Sequence, residues 1–174
     1  MLLLVKLLNK SIFKFIAFTF LLLSSRQLSA QHIDSIHYSW VVYEINEDSE
    51  DKKCYILSTP NKSDSSYTGT RKPYLAVTRY AKNHVEEISL YTGYEYKISQ
   101  DVHLLIGEWP ALLAVDGDMA WAKNKKDDKE IIRALLDNKF VKARSDSSYG
   151  NYAIDEYSLK GFVRAYSRMK ELCD

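Results

Sequence analysis

The feature that most constrains the fold of this chain is a series of short segments rich in β-branched and aromatic residues. Turn-forming sequences separate these segments, among them Thr92-Gly93 and Asp116-Gly117-Asp118. Many short strands at such spacing favour an antiparallel sandwich or barrel over a parallel α/β sheet. We predict strands at residues 36–43, 54–57, 74–78, 85–91, 94–98, 102–106, 111–115, 140–144 and 149–154.

One interruption of the strand pattern is a predicted helix at about residues 126–138. Asp127 and Glu130 have the spacing of an N-cap and its reciprocal partner, in which each side chain bonds a backbone amide of the first turn. The apolar face of this helix consists of residues that recur at helical spacing: Ile131, Ile132, Leu135 and Leu136. The pattern predicts one amphipathic helix here.

A second predicted helix spans about residues 158–172, near the end of the chain. Ser158 is the predicted N-cap, because its hydroxyl can accept a bond from an unpaired first-turn amide. Gly161 costs a helix about 1 kcal/mol relative to Ala, so we expect its backbone to pack closely against the sheet. The apolar side comprises Leu159, Phe162, Val163, Tyr166, Met169 and Cys173.

The first thirty residues are predicted to be a targeting segment, removed after Ala30, rather than part of the fold. Three lysines come first, an apolar run occupies residues 15–23, and small residues end the segment. This order of basic, apolar and small residues is typical of a secretory signal. A membrane anchor is the alternative, but the apolar run is about half of the ~20 residues that a spanning helix needs.

Removal of the signal changes the charge of the chain. It takes away four of the 24 basic residues and no acidic one, which leaves 20 basic against 23 acidic residues and changes the net charge from +1 to −3. A mildly acidic domain without a basic stripe argues against nucleic acid as a partner. Residues 31–174 suit a single domain that is soluble, has no membrane span and associates at most peripherally with the envelope.

Both cysteines, Cys54 and Cys173, lie in the exported part. An even pair in an oxidising compartment favours a disulfide, and with two cysteines one intramolecular pairing exists. Two buried thiols and a redox pair are the alternatives, and no Cys-x-x-Cys spacing supports redox chemistry. We therefore predict a structural disulfide that ties the closing helix to the strand around residue 54.

Several motifs together resemble the invasion-associated locus B family of exported bacterial proteins, and the resemblance covers essentially the whole exported chain. Its most specific part is the closing motif, which we define as Asp155, Tyr157, Ser158, Leu159, Gly161 and Phe162, running on to Cys173. The other parts are Ser58-Thr59-Pro60, residues 71–78, Gly93-Tyr94 with Tyr96-Lys97, residues 117–122 and residues 128–135.

This resemblance implies an immunoglobulin-like antiparallel β-sandwich with two helices. It also implies a place in the periplasm or outer envelope, with secretion as an alternative, and a link to host-cell invasion and virulence. The family supplies no catalytic residues to carry over. The chain departs from the family pattern at Tyr149-Gly150-Asn151, where a basic residue and Gly-Thr are usual, and at Glu156, where Thr is usual.

Residues that could carry catalysis or bind metal do not form a recognisable motif. His32, His37, His84 and His103 lack metal-site spacing, and no serine has a Gly-x-Ser-x-Gly context. Asp155 is interpreted as a turn or strand-end residue that caps the helix rather than as a catalytic acid. We therefore expect no enzyme activity, no cofactor and no metal.

The remaining prediction is a non-enzymatic exported protein that binds a protein partner in the envelope or at the host interface. Binding is expected through a sandwich face or its loops, in particular residues 61–71 and 145–152, because loops on rigid scaffolds carry recognition. The 13 tyrosines fit either a protein- or glycan-facing surface or cross-strand pairing within a sandwich. An envelope-maintenance or chaperone-like factor is the alternative function, and an undetected hydrolase is a third.

Overall fold

The structure is a computed structural model that describes residues 31–46 and 49–174, so the predicted signal segment lies outside the described residues. The described residues are mainly β, with strands and helices in the following order. The elements are β1 Gln31–His37, β2 Trp40–Ile45, β3 Lys53–Ser58, β4 Lys62–Ser65, β5 Tyr74–Tyr80, β6 Glu86–Tyr91, β7 Val102–Ile106, β8 Trp109–Asp116, β9 Met119–Ala122, α1 Lys125–Asp137, β10 Phe140–Asp146, β11 Tyr152–Ser158 and α2 Phe162–Leu172.

All described strands belong to one antiparallel sheet in the order β1-β2-β3-β5-β6-β9-β8-β7-β10-β11-β4. The sheet folds over itself. This is seen from the indole N–H of Trp40 in β2, which donates to the carbonyl of Ser158 in β11 at 2.9 Å. Seven strands separate these two in the sheet order. The predicted fold class, an antiparallel sandwich-like β-domain with two helices, is confirmed.

Alternate residues of most strands face a single core, as the two-residue period of a strand requires. In β2 the inward residues are Trp40, Val42 and Glu44, and the residues paired with them in the neighbouring strands face the same side of the sheet. The inward apolar side chains further along the sheet include Ile56, Leu75, Val77, Ile88, Leu90, Leu104, Ile106, Val141 and Tyr157. Both helices cover this inner face, which leaves the other face of the sheet outward.

Helix α1 packs on β6 and β9, and its first turn differs from the prediction. Asn124, not Asp127, is the N-cap: its side-chain oxygen accepts from the amides of Lys126 at 3.0 Å and Asp127 at 3.1 Å. Asp127 lies inside the first turn. The buried Asp128 accepts from the amide of Ile88 in β6 at 2.8 Å, and burial raises the pKa of this carboxyl.

Helix α2 packs on β1, β2 and β3, and it begins later than predicted. Ser158 is the last residue of β11 and does not cap the helix; its hydroxyl accepts from the amide of Lys160 at 3.3 Å. Gly161 is the N-cap, in a left-handed conformation with φ of 94°. A Cβ at Gly161 would lie 2.1 Å from the carbonyl oxygen of His37, so the predicted close packing is present.

Two predicted strands and one predicted loop differ in the structure. Residues 36–43 form a hairpin rather than one strand, because Tyr38 adopts a left-handed φ of 56° between β1 and β2. Residues 94–98 are not a strand: their amides bond two different elements, and Tyr96 makes a single bridge to Ser147. The predicted loop at residues 61–71 contains the short strand β4.

Candidate functional site

The predicted disulfide is present and lies in the core. Cys54 of β3 and Cys173, directly after α2, have Cα atoms 5.9 Å apart and are bonded to each other. Both side chains are buried. Because Cys54 faces inward from the sheet, the bond fastens the last turn of α2 to the core. This is the position expected of a structural disulfide.

Asp155 lies in the middle of β11 rather than at a helix start, so its interpretation as a capping residue is wrong. Its carboxylate is completely buried and accepts two hydrogen bonds from the Arg71 guanidinium, at 2.8 and 2.9 Å. The Ser63 hydroxyl of β4 donates a third at 2.6 Å. Arg71 also donates to the Thr92 carbonyl at 2.9 Å, and the hydrogen bonds that it donates to Asp155 raise the pKa of the guanidinium.

Aromatic side chains enclose this ion pair. The guanidinium carbon of Arg71 lies 5.9 Å from the centre of the Tyr94 ring, and the Tyr94 hydroxyl donates to the carbonyl of Ser145 at 3.1 Å. Tyr157, two residues after Asp155, is buried beside them, and burial raises the pKa of its phenol well above the usual value. With its carboxylate already occupied by three donors, Asp155 acts as a fixed structural link and not as a general base.

The other residues of the closing motif also have structural positions. The amide of Leu159 donates to the Lys139 carbonyl at 2.9 Å, which places the chain before it enters α2. Phe162 packs edge-to-face on Trp40, with ring centres 4.8 Å apart. Together with the N-cap Gly161, these contacts hold α2 on the sheet. The motif therefore stabilises the fold.

The two loops predicted to carry recognition lie side by side, and we call residues 61–71 and 145–152 together the loop surface. The amide of Ser66 donates to the Tyr152 carbonyl at 3.1 Å, and the amide of Tyr152 donates to the Ser66 hydroxyl at 2.9 Å. The Ser65 hydroxyl donates to the same Tyr152 carbonyl at 3.0 Å. Loop composition predicted each loop, but no sequence signal predicted their contact.

The exposed residues of the loop surface include one aromatic and two charged side chains among uncharged polar residues and glycines. Tyr149 is 78 % exposed, the largest exposed fraction among the aromatic side chains of the loop surface. Lys62 and Asp64 of β4 are exposed on the outer face of the sheet, and the ammonium of Lys62 lies 3.2 Å from the carboxylate of Glu156. This combination of an amphipathic anchor and mixed charges suits protein recognition better than a charged polymer.

The histidines do not form a metal site in the structure. His32 and His37 lie in the edge strand β1, His84 lies in the turn before β6, and His103 lies in β7. Within residues 31–46 and 49–174, no group of three or more His, Cys, Asp or Glu side chains is arranged to bind a metal ion. Of the described helices, neither is long and apolar enough to cross a bilayer.

No family model, curated protein or solved structure matches this chain. The resemblance to the invasion-associated locus B family therefore stays a prediction from the motifs, and the function must be inferred from the described surface.

Proposed function

We propose that the chain is an exported, non-enzymatic binding protein of the invasion-associated locus B type. It acts in the periplasm or outer envelope, or at the host interface, where it binds a protein partner through the loop surface. The observation that carries this proposal is the meeting of the two loops above the buried Asp155–Arg71 pair. Loops held on a rigid base lose little conformational entropy on binding, which favours affinity.

The buried pair directly supports both loops. Arg71 ends one loop, and Asp155 lies three residues after Tyr152, the end of the other. The side chain of Arg71 is 8 % exposed and that of Asp155 is 0 % exposed, so solvent does not screen their attraction. Consequently the loops are preorganised relative to each other before a partner arrives.

Strand β4 adds a backbone element to the same surface. It pairs with β11 on one side and lies at the edge of the sheet on the other. An edge strand can accept a partner strand through its outward amides and carbonyls, which is a binding mode restricted to polypeptides. Short length and the charged residue Lys62 limit nonspecific pairing, so specificity is expected from the loop side chains.

The first experiment isolates a partner and then measures its affinity. The exported form of the chain, residues 31–174, is used to capture proteins from envelope and host-membrane extracts. The purified partner is then titrated with this form and with its variant Tyr149→Ala. Because truncation of a hot-spot tyrosine costs a protein interface at least about 2 kcal/mol, we expect a loss of at least about tenfold in affinity. Tyr38→Ala is the matched control: Tyr38 is 62 % exposed but lies in the β1–β2 turn.

Equal loss of affinity in both variants, or no loss in either, would contradict binding at the loop surface. If the chain instead suppresses aggregation of unfolded envelope proteins, and Tyr149→Ala does not change this, the chaperone-like alternative is favoured.

The location of the protein is tested separately by fractionation and N-terminal sequencing. We expect the exported form to begin at Gln31, and full-length chain retained in the cytoplasm would contradict export.

A further inference from the structure

The outer face of the sheet carries a second feature, which lies away from the loop surface. On β2, β3, β5 and β6 this outer face is strongly aromatic, and we call it the tyrosine face. Its aromatic members are Tyr43, Tyr55, Tyr74, Tyr80 and Tyr91. They form cross-strand pairs: Tyr43 stacks on Tyr55 with ring centres 4.7 Å apart, and Tyr74 lies 5.3 Å from Tyr91. No described helix packs on this side of these strands, since both helices cover the inner face.

A trench lies on the tyrosine face, along the outer sides of β3 and β5. Its lining includes a row of directly paired residues from three adjacent strands: Leu57, Ala76 and Ser89. Tyr74 lies on one side of this row, and Tyr55 and Thr78 lie on the other. Three further residues line the rest of the trench: Ile45, Lys53 and Tyr80. The groove has a volume of about 440 Å³, within the range of small-ligand sites.

The outer face around the trench carries no net charge. The outer faces of β2, β3, β5 and β6 carry two charged residues, Glu87 and Lys53, of which Lys53 lines the trench, and Tyr80 engages both. The ammonium of Lys53 lies 5.1 Å from the centre of the Tyr80 ring, and the Tyr80 hydroxyl donates to Glu87 at 2.6 Å. A polyanion or a polycation would therefore lose its hydration shell and gain at most one counter-charge. The lining selects against polyanions and polycations.

The walls of the trench present aromatic rings with protonated hydroxyl tips. Burial and the neighbouring Tyr43 raise the pKa of the Tyr55 phenol to about 12, and burial also raises the pKa of Tyr74. Both phenols consequently stay neutral throughout the physiological pH range. The Tyr55 hydroxyl accepts from the side-chain amide of Gln31, and the Tyr74 hydroxyl donates to the sulfur of Met119, so a ligand can still accept from Tyr55 and donate to Tyr74. Thr78 and Ser89 add two further hydroxyls to the lining.

We propose that the trench binds a neutral saccharide chain. A sugar ring has an apolar C–H face that packs on an aromatic ring and a rim of hydroxyls that bonds phenols, so it matches both properties of the walls. Strand addition does not explain the trench, because the backbone groups beneath it are already paired within the sheet.

This site is independent of the protein-binding loop surface, and its test is independent too. The purified chain is titrated calorimetrically with three neutral hexasaccharides, namely chitohexaose, cellohexaose and maltohexaose. We expect saturable binding of at least one of them. Two probes of different chemistry, polygalacturonate as a polyanion and dodecyl maltoside as an alkyl chain, are titrated in parallel, and we expect weaker binding of both.

Two variants locate the binding in the trench. Ala76→Leu fills the floor without removing any contact, and Tyr74→Ala removes one wall ring; we expect each to weaken hexasaccharide binding about tenfold, as loss of one aromatic contact implies. Tyr149→Ala on the loop surface is the control and should leave saccharide binding unchanged. Circular dichroism verifies that each variant is folded.

Absence of saturable binding for all three hexasaccharides would overturn the proposal. So would binding that survives both trench variants, tighter binding of polygalacturonate, or tighter binding of dodecyl maltoside with the same sensitivity to Ala76→Leu. None of these results bears on the loop surface, whose own test uses Tyr149→Ala and a protein partner.

Discussion

The closing segment, residues 155–173, fastens two regions of the molecule by different physical means. At one end it begins with Asp155, whose buried ion pair with Arg71 holds the loop surface. At the other it finishes with Cys173, whose disulfide to Cys54 holds α2 on the core. The helix end thus depends on a covalent bond and close packing, whereas the loop end depends on desolvated charge. The loop end is therefore the more sensitive of the two to the loss of a single polar atom.

Breaking the covalent link should have the largest effect on stability. The disulfide closes a loop with a sequence separation of 119 residues, and the chain-entropy relation assigns such a loop about 4–5 kcal/mol. The double variant Cys54→Ala with Cys173→Ala should lose about that free energy of unfolding in urea titrations. A loss below about 1 kcal/mol would show that packing alone holds α2.

Removing one partner of the ion pair tests the loop end. Asp155→Ala leaves the Arg71 guanidinium buried without a counter-charge, and we expect a loss of about 3–5 kcal/mol in unfolding free energy. The double variant Asp155→Leu with Arg71→Met removes both charges, and its unfolding free energy should fall by clearly less than that of Asp155→Ala. Equal losses in the two variants would indicate that the surrounding packing, rather than the charge, is what the first variant disturbs.

A pair of glycines compares the two ends at the level of the backbone. Gly161 of the helix end and Gly150 of the loop end both have positive φ, 94° and 82°. Alanine pays about 1–2 kcal/mol in a left-handed conformation, so Gly150→Ala, which meets nothing within 4 Å, should cost about that much. Gly161→Ala must also displace the His37 carbonyl, so it should lower the unfolding free energy by more than Gly150→Ala does. Equal unfolding free energies for the two variants would contradict the close approach at Gly161.

The smallest expected effect concerns the ion pair that joins β1 to α2. Two hydrogen bonds from Arg168, at 2.7 and 2.9 Å, lower the pKa of Asp34 from 3.8 to about 2. A carboxyl with a lowered pKa stabilises the fold above its unfolded pKa and loses that contribution as pH falls through the folded value. The melting temperature of Asp34→Asn should therefore be slightly below that of the unchanged chain at pH 6, and the difference should shrink as pH falls from about 4 through about 2. A difference as large at about pH 2 as at pH 6 would exclude this ion pair as the cause.

The strands that sequence analysis predicted well are those whose side chains face a core on one side. Residues 102–106 and 140–144 alternate between buried and exposed, and the structure contains β7 and β10 there. Residues 94–98 also contain strand-favouring side chains, but their amides bond the β8–β9 turn and the end of β10 instead of one neighbouring strand. Composition reports the propensity of a segment and does not report which partner is available.

The candidate site was only partly predictable. The loops were recognisable from their polar, turn-forming residues, and the pairing of Cys54 with Cys173 followed from their number. The link between Arg71 and Asp155 was not, because the two residues are 84 positions apart and neither has a local pattern that marks it as buried. The trench was also not predictable, since it depends on the register that aligns Leu57, Ala76 and Ser89 across three strands.

By itself, the sequence determined the antiparallel β class, the two helices and the disulfide, because these depend on local propensity, periodicity and cysteine count. Tertiary structure alone decided which polar residues are buried together, which loops meet and which face of the sheet remains outward. The physical reason is that side-chain direction within a strand is local, whereas the neighbour across the sheet is chosen by the register of residues far away in the chain.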